Sequence, residues 1–150
     1  MMKKYLLSIL YVLISTICLA GIRPDISSRY DGVRIDTFGF DECPEAIGGC
    51  VDIVAHSGTD YVKDKLLLAS DFSIAFIKVN GTFVKLTAIF KDDINDRTKE
   101  YRGGDYCVKL IPTKKLGSGY ELFEQEVTFQ LFKNGVKLSE MKQCYMMTAC

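Results

Sequence analysis

The chain has 150 residues, of which 48% are hydrophobic, and 19 Lys and Arg are balanced by 19 Asp and Glu. The basic residues are scattered, so the sequence lacks the concentrated positive charge that binds nucleic acid or draws a protein to an anionic membrane. This length and composition indicate one domain with a real hydrophobic core.

The N-terminus has the three parts of a secretory signal peptide over residues 1–20. Lys3 and Lys4 form a positive start, an apolar run follows to Leu19, and Ala20 supplies the small residue before cleavage. The run is shorter than the roughly 20 residues of a spanning helix, so we expect no stable membrane insertion. The mature protein would be a single β-rich domain over residues 21–150, secreted or periplasmic, with 17 basic and 19 acidic residues after loss of the two lysines.

Five cysteines would remain after cleavage, namely Cys43, Cys50, Cys107, Cys144 and Cys150. Exported proteins meet an oxidising environment, so we expect disulfides, although sequence alone does not select the pairing. We predict one bridge from Cys43 to Cys50 across a short turn and another from Cys107 to Cys144 between strands. Cys150 would then be free or would join two chains, and the oligomeric state stays open.

The first half of the mature chain predicts short elements. Residues 21–41 indicate a loose start with an extended piece at 33–35, and Val51 to Val54 form a β-branched run typical of a strand. The segment from Val62 to Ala69 lacks β-branching after its first residue and is the one place where we predict a helix.

Residues 72–90 give the clearest local signal, two β-type runs around Asn80-Gly81. This dipeptide is typical of the two-residue hairpin turn in which both central residues have positive φ. The turn sets the register, so Ile77 faces Val84 and Lys78 faces Phe83. One face of the hairpin is then almost wholly apolar, which predicts a place in the body of a sheet. Asn80 also begins a glycosylation sequon, whose use stays open.

The second half predicts a loop and three more strands. Residues 91–105 are highly charged and indicate a long surface loop, and Tyr106 to Ile111 indicate a strand stopped by Pro112. Between residues 120 and 133 the apolar residues alternate with polar ones, which favours a strand over a helix. A second Asn-Gly turn at 134–135 returns the chain toward Cys144. We therefore predict a mainly β fold, a small disulfide-stabilised antiparallel sandwich or flattened barrel with two Asn-Gly hairpins and at most one short helix.

Groups that carry chemistry are sparse. His56 is the lone histidine and is best interpreted as a surface-loop residue, and no spacing typical of a zinc or phosphate site occurs. We therefore expect no catalytic residues, no metal and no cofactor. Aromatic residues near the first hairpin and residues of the neighbouring loops are candidates for a binding surface. These candidates are Phe72, Phe76, Phe83, His56, Asp93 and Tyr101.

Residues 40–43 form an aromatic-acid-cysteine start. A second part of the chain consists of the predicted strands from Gly119-Tyr120 through 127–131 to Lys137-Leu138 and Cys144. These two parts resemble the ML lipid-recognition family, and that resemblance implies a small sandwich with a lipid cavity between its sheets.

Three functional interpretations follow from these features. The first is an exported, non-enzymatic protein that engages another protein as an inhibitor, immunity factor or surface ligand. The second is a carrier of a lipid or other apolar small molecule held between the sheets, as the ML resemblance implies. The third is a hydrolase that uses carboxylates of the 91–105 loop. None of them involves nucleic acid.

Overall fold

The computed structural model describes residues 32–93 and 95–150, so the predicted signal peptide lies outside the described residues. Nine strands, one short α-helix and one 3₁₀ helix at Phe40–Glu42 occur in these ranges. The strands are β1 (Ile35–Asp36), β2 (Val51–Ala55), β3 (Leu66–Ser70), β4 (Ile74–Val79), β5 (Thr82–Ile89), β6 (Lys99–Gly103), β7 (Tyr106–Gly119), β8 (Leu122–Lys133) and β9 (Val136–Ala149), and the helix is α1 (Gly58–Val62).

The strands form a closed up-and-down barrel of eight strands. Each strand from β2 to β9 pairs antiparallel with the next one along the chain, and β9 returns to pair with β2. Val51 lies opposite Ala149 at this closing seam. Strand β1 lies outside the ring and pairs with β4, where Ile35 faces Val79. The predicted β-rich fold, with its flattened-barrel alternative, is confirmed.

Both predicted Asn-Gly hairpins are present. Asn80 and Gly81 have φ angles of 49° and 78°, and Asn134 and Gly135 have 50° and 77°, as the predicted turn requires. The β4–β5 register is the predicted one, with Ile77 opposite Val84 and Lys78 opposite Phe83. Local turn chemistry therefore set both the turn and the pairing of these strands.

The barrel interior is filled by alternate side chains of the strands. Phe129 of β8 lies at its centre with no exposed surface, in register with Leu110 of β7 and Met141 of β9. This filling agrees with the size of an eight-stranded barrel, whose interior is just wide enough for side chains or one small ligand. The buried residues of this core are Val54, Leu67, Leu68, Ala75, Ile77, Val79, Leu86, Tyr101, Val108, Leu110, Val127, Phe129, Leu131, Cys144 and Met146.

A second apolar cluster lies outside the barrel, beneath the N-terminal segment 33–49. Phe38 of this segment packs on Phe83, with ring centroids 5.1 Å apart, and contacts the buried Leu66 of β3 through a β-bridge. Strand β3 is therefore covered on both faces, by the barrel interior and by the N-terminal segment. All five of its residues are buried.

The helix prediction for 62–69 is wrong, because residues 66–70 form β3. An unbroken leucine run is typical of a strand that is buried on both faces. A buried helix can show the same unbroken apolar pattern, so periodicity does not distinguish the two. The helix instead covers Gly58–Val62, where the Asp60 backbone N–H donates to the Ser57 hydroxyl at 3.1 Å, an N-cap.

The predicted 91–105 loop is wrong in its second half, where Lys99–Gly103 form β6. Gly103 is needed there because a Cβ atom would lie 2.1 Å from the Lys85 carbonyl oxygen of β5. The predicted stop at Pro112 is also wrong. Beyond Leu110, β7 pairs with β8 alone, and an edge segment with a register shift after Pro112 tolerates the missing N–H.

The structure contains one disulfide in its described part, from Cys50 to Cys150. The predicted pairing of Cys43 with Cys50 and the prediction of an unpaired Cys150 are therefore wrong. Cys107 and Cys144 are separate thiols, because β8 lies between their strands and they lie on opposite sides of the barrel wall. Burial raises the pKa of the Cys144 thiol to about 11.

Candidate functional site

One end of the barrel is an open mouth. The starts of β2, β4, β6 and β8 and the ends of the other four barrel strands meet there, and they surround a cleft of about 570 Å³. The lining residues are Asp52, Asp71, Phe72, Ala88, Ile89, Phe90, Lys91, Asp96, Arg97, Thr98, Lys99, Glu100, Tyr101, Pro112, Phe123, Gln125 and Thr148. The cleft forms only in the folded protein, because its lining residues come from six strands and two connections that are far apart in the sequence.

The floor of the cleft is a polar cluster centred on the buried carboxylate of Asp52. Lys99 Nζ donates to Asp52 Oδ2 at 2.5 Å, and Thr148 Oγ1 donates to Asp52 Oδ1 at 2.5 Å. These residues come from β2, β6 and β9, and their alternating positions all point into the barrel. A buried charge is tolerated only when it is paired and hydrogen-bonded, and Asp52 meets both conditions.

Tyr101 separates this floor from the filled interior. Its hydroxyl lies 3.1 Å from Ser70 Oγ and donates to Asp52 Oδ2 at 3.4 Å. Burial, and then the Asp52 charge, raise the pKa of Tyr101 above its ordinary value, so the phenol stays protonated. The floor is thus a fixed set of hydrogen-bond donors and acceptors above a packed apolar core.

The rim of the mouth is tied together by ion pairs. Lys91 Nζ lies 2.7 Å from Asp96 Oδ2 and 4.0 Å from Glu100 Oε2. The hydrogen bond from Lys91 lowers the pKa of Asp96 to about 2. Arg102 pairs with Glu100 at 2.6 Å. The carboxylates of Asp96 and Glu100 are therefore already neutralised by partners on the protein.

A second cleft of about 460 Å³ adjoins the first one, between the 95–98 connection and the edge segment of β7. Its lining contains three cationic side chains, those of Arg97, Lys114 and Lys115. Five residues line both clefts, so the two spaces share a wall. These shared residues are Arg97, Thr98, Pro112, Phe123 and Gln125.

Exposed apolar side chains concentrate at the mouth end. Among the described residues seven large hydrophobic side chains are exposed, and six of them lie at this end of the barrel. Val62, in the helix at the opposite end, is the exception. The six are Phe72, Ile89, Phe90, Leu116, Tyr120 and Leu122. Apolar surface that gathers at one end of a barrel marks a binding face more often than scattered residues do.

Three of the six predicted binding-surface residues lie at the mouth end of the barrel. Phe72 is exposed at the mouth and lines the cleft. Tyr101 also lines the cleft, but its side chain is buried, so Tyr101 is not part of the outer surface. Asp93 is exposed in the connection at the same end, where its side chain accepts the Asn95 N–H at 2.9 Å.

The remaining predicted surface residues lie elsewhere. His56 is exposed where β2 ends, at the opposite end of the barrel. Phe76 is buried and packs against the half-buried Phe83 in the outer cluster, with ring centroids 6.4 Å apart. The prediction of Phe76 as a surface residue is therefore wrong.

The floor residues Asp52, Lys99 and Thr148 were not predicted from the sequence. Asp52 carried a usable signal, since it is a charged residue inside the apolar run 51–55. A charge in a short buried strand indicates a partner elsewhere in the fold. The partners lie 47 and 96 positions away, so the sequence did not identify them.

Comparisons with protein-family models, with curated proteins and with solved structures gave no significant match for this chain. Neither helix of the described ranges has the length and hydropathy needed to cross a membrane. Within these ranges no three His, Cys, Asp or Glu side chains converge as metal ligands.

Proposed function

We propose that this protein is a non-enzymatic binding protein of the extracytoplasmic space that holds a small organic molecule in its barrel mouth. The observation that carries the proposal is the cleft of about 570 Å³, with Phe72, Ile89 and Phe90 around a polar floor. Ligand sites are typically concave, mostly apolar and equipped with a few fixed polar groups, and barrel mouths are a common location for them.

The filled interior limits the size of the ligand. Phe129 and its neighbours occupy the barrel centre below Tyr101, so the ligand body lies in the mouth and does not run through the barrel. A carrier with a long cavity between two sheets, as the ML resemblance implied, fits this arrangement less well than a receptor for one compact molecule.

Binding without catalysis is supported by the engagement of the acidic groups around the cleft. Asp52 is held by Lys99, Asp96 by Lys91, and Glu100 by Arg102. The hydrogen bond from Lys91 lowers the pKa of Asp96 to about 2, so this carboxylate is a poor proton donor near neutral pH. The disulfide is compatible with the proposed extracytoplasmic location, since such bridges persist in oxidising compartments.

N-phenylnaphthylamine, a neutral dye that fluoresces in apolar sites, tests this function. We expect saturable binding to the purified protein, and Phe90→Ala should weaken it by about tenfold because a buried phenyl contact contributes on the order of 1.5 kcal/mol. Val62→Ala is the matched control, since Val62 is equally exposed but lies at the opposite end. Absence of dye binding, or equal losses in both variants, would contradict the proposal.

A protein partner at the same end is the second candidate function. It is favoured by Leu116 and Tyr120, exposed apolar residues of the β7–β8 hairpin that lie outside the lining of both clefts. Tyrosine is enriched among the residues that dominate protein interfaces. An inhibitor or immunity factor would use this hairpin to reach its target.

Replacement of both Leu116 and Tyr120 by serine distinguishes the two functions. If a protein partner is the physiological ligand, capture of a stoichiometric partner from the native compartment is lost while dye binding is unchanged. If the double variant captures the same partner as the parent protein, the hairpin is not the docking surface.

A further inference from the structure

The two adjoining clefts differ in charge. The smaller cleft is lined by Arg97, Lys114 and Lys115 and by no Asp or Glu among its described residues. In the larger cleft the four carboxylates have partners on the protein, with Asp71 accepting the backbone N–H groups of Ser73 and Ile74. The residues that line the two clefts together include five cationic and four acidic side chains, so the combined site has a net positive charge, and Lys114 and Lys115 place the excess on the β7 side.

The three cations have no carboxylate within 4.0 Å in the described part of the chain. Glu126 is the acid nearest in register, opposite Lys114, and its carboxylate accepts the Thr113 hydroxyl at 3.2 Å. Lys115 Nζ lies over the Phe123 ring, 5.7 Å from its centroid, and Phe123 is part of the wall that both clefts share.

This arrangement joins an apolar cleft to a cationic one across a single wall. An aromatic or aliphatic body in the mouth would place a negatively charged substituent beside Arg97 and Lys115. A guanidinium and an ammonium suit carboxylate, sulfonate or phosphate groups, because charge-assisted hydrogen bonds are the stronger class.

We infer that the ligand is an amphipathic organic anion, with its apolar body in the mouth cleft and its charged group in the cleft of Arg97, Lys114 and Lys115. This inference rests on the proposed function and adds the chemical class of the ligand. The three cations select for the charged group of the ligand. The aromatic rim supplies apolar contacts that do not depend on that charge.

A matched pair of dyes tests the inference. Anilinonaphthalene sulfonate has the same aromatic body as N-phenylnaphthylamine and carries one additional sulfonate. We expect the sulfonate to bind the purified protein about tenfold more tightly than the neutral dye, which corresponds to one charge-assisted contact. The advantage should shrink as salt is raised, because exposed cations are screened.

Charge-neutralising variants locate the anion. Lys114→Gln and Lys115→Gln should each reduce sulfonate binding several-fold. Both lysines line the smaller cleft and neither lines the larger one, so binding of the neutral dye should stay within about twofold of the parent. Lys133→Gln is the matched control, because Lys133 also lies over an aromatic ring, 5.3 Å from the Tyr106 centroid, but at the opposite end of the barrel.

Two results would overturn the inference, and they are distinguishable. Equal affinity for the two dyes, unchanged in Lys114→Gln and Lys115→Gln, would leave the mouth as a ligand site and remove the anion specificity. Failure of both dyes to bind the parent protein would remove the proposed function and the inference together.

Discussion

Replacement of both Cys50 and Cys150 by serine should lower the free energy of unfolding by about 4 kcal/mol. The bridge spans 100 positions, and a cross-link that closes a loop of this length restricts the unfolded chain strongly. It also lies directly at the closing seam of the barrel, since Val51 and Ala149 are the neighbouring residues and face each other across β2 and β9. Urea unfolding followed by circular dichroism measures the loss.

Chemical reduction provides the control for this prediction. A phosphine reductant should destabilise the parent protein to the level of the double variant and leave the double variant unchanged. Cys43→Ser should cost less than about 1 kcal/mol, because Cys43 is a half-buried thiol outside the bridge. A linked peptide pair containing Cys43 and Cys50 in a non-reduced digest would show that the bridge assignment is wrong.

Phe129→Ala should cost about 4 kcal/mol of stability, the expected loss for a fully buried phenylalanine whose cavity does not collapse. Phe129 has no exposed surface and lies at the barrel centre. Phe90→Ala makes the same chemical change at a side chain that is 79% exposed, so its loss should stay below about 0.5 kcal/mol. Denaturant unfolding of the two variants gives the comparison.

A smaller substitution keeps this prediction measurable if Phe129→Ala fails to fold. Phe129→Leu retains most of the volume and should cost about 1.5 kcal/mol. Equal stability of the Phe129→Leu, Phe90→Ala and parent proteins would mean that Phe129 is not part of a packed barrel centre.

The parts of the fold that followed from the sequence were those with local causes. Asn80-Gly81 and Asn134-Gly135 determine their turns through φ angles that few residues adopt, and each turn determines the pairing of the strands it joins. Alternation of apolar and polar residues over 120–133 correctly predicted the strand β8, because side chains alternate along a strand whatever its partner.

The errors fell where burial depends on distant segments. Strand β3 was interpreted as helical because its leucines show no alternation, and they need none once Phe38 covers the outer face. In the same way β6 was not predicted, because its residues belong to a highly charged stretch. Tyr101 of this strand faces the interior, and Glu100 is buried on the outer face, where it forms ion pairs.

The candidate site was visible in the sequence only as separate residues. Phe72 and Tyr101 were both proposed, but Asp52, Lys99 and Thr148 were not, since their importance comes from meeting one another. Arg97 and Lys115 likewise became a cationic site only when the 95–98 connection and the edge of β7 were brought to one wall.

The amino-acid sequence alone predicted a β-rich domain with two tight hairpins and the apolar face of the first hairpin, because turn geometry and side-chain alternation act over a few residues. Three further features arise only in the tertiary structure, namely the closure of β9 onto β2, the Cys50–Cys150 bridge and the mouth site. Each of them joins segments about one hundred positions apart, and such meetings depend on the number and register of all the strands between them.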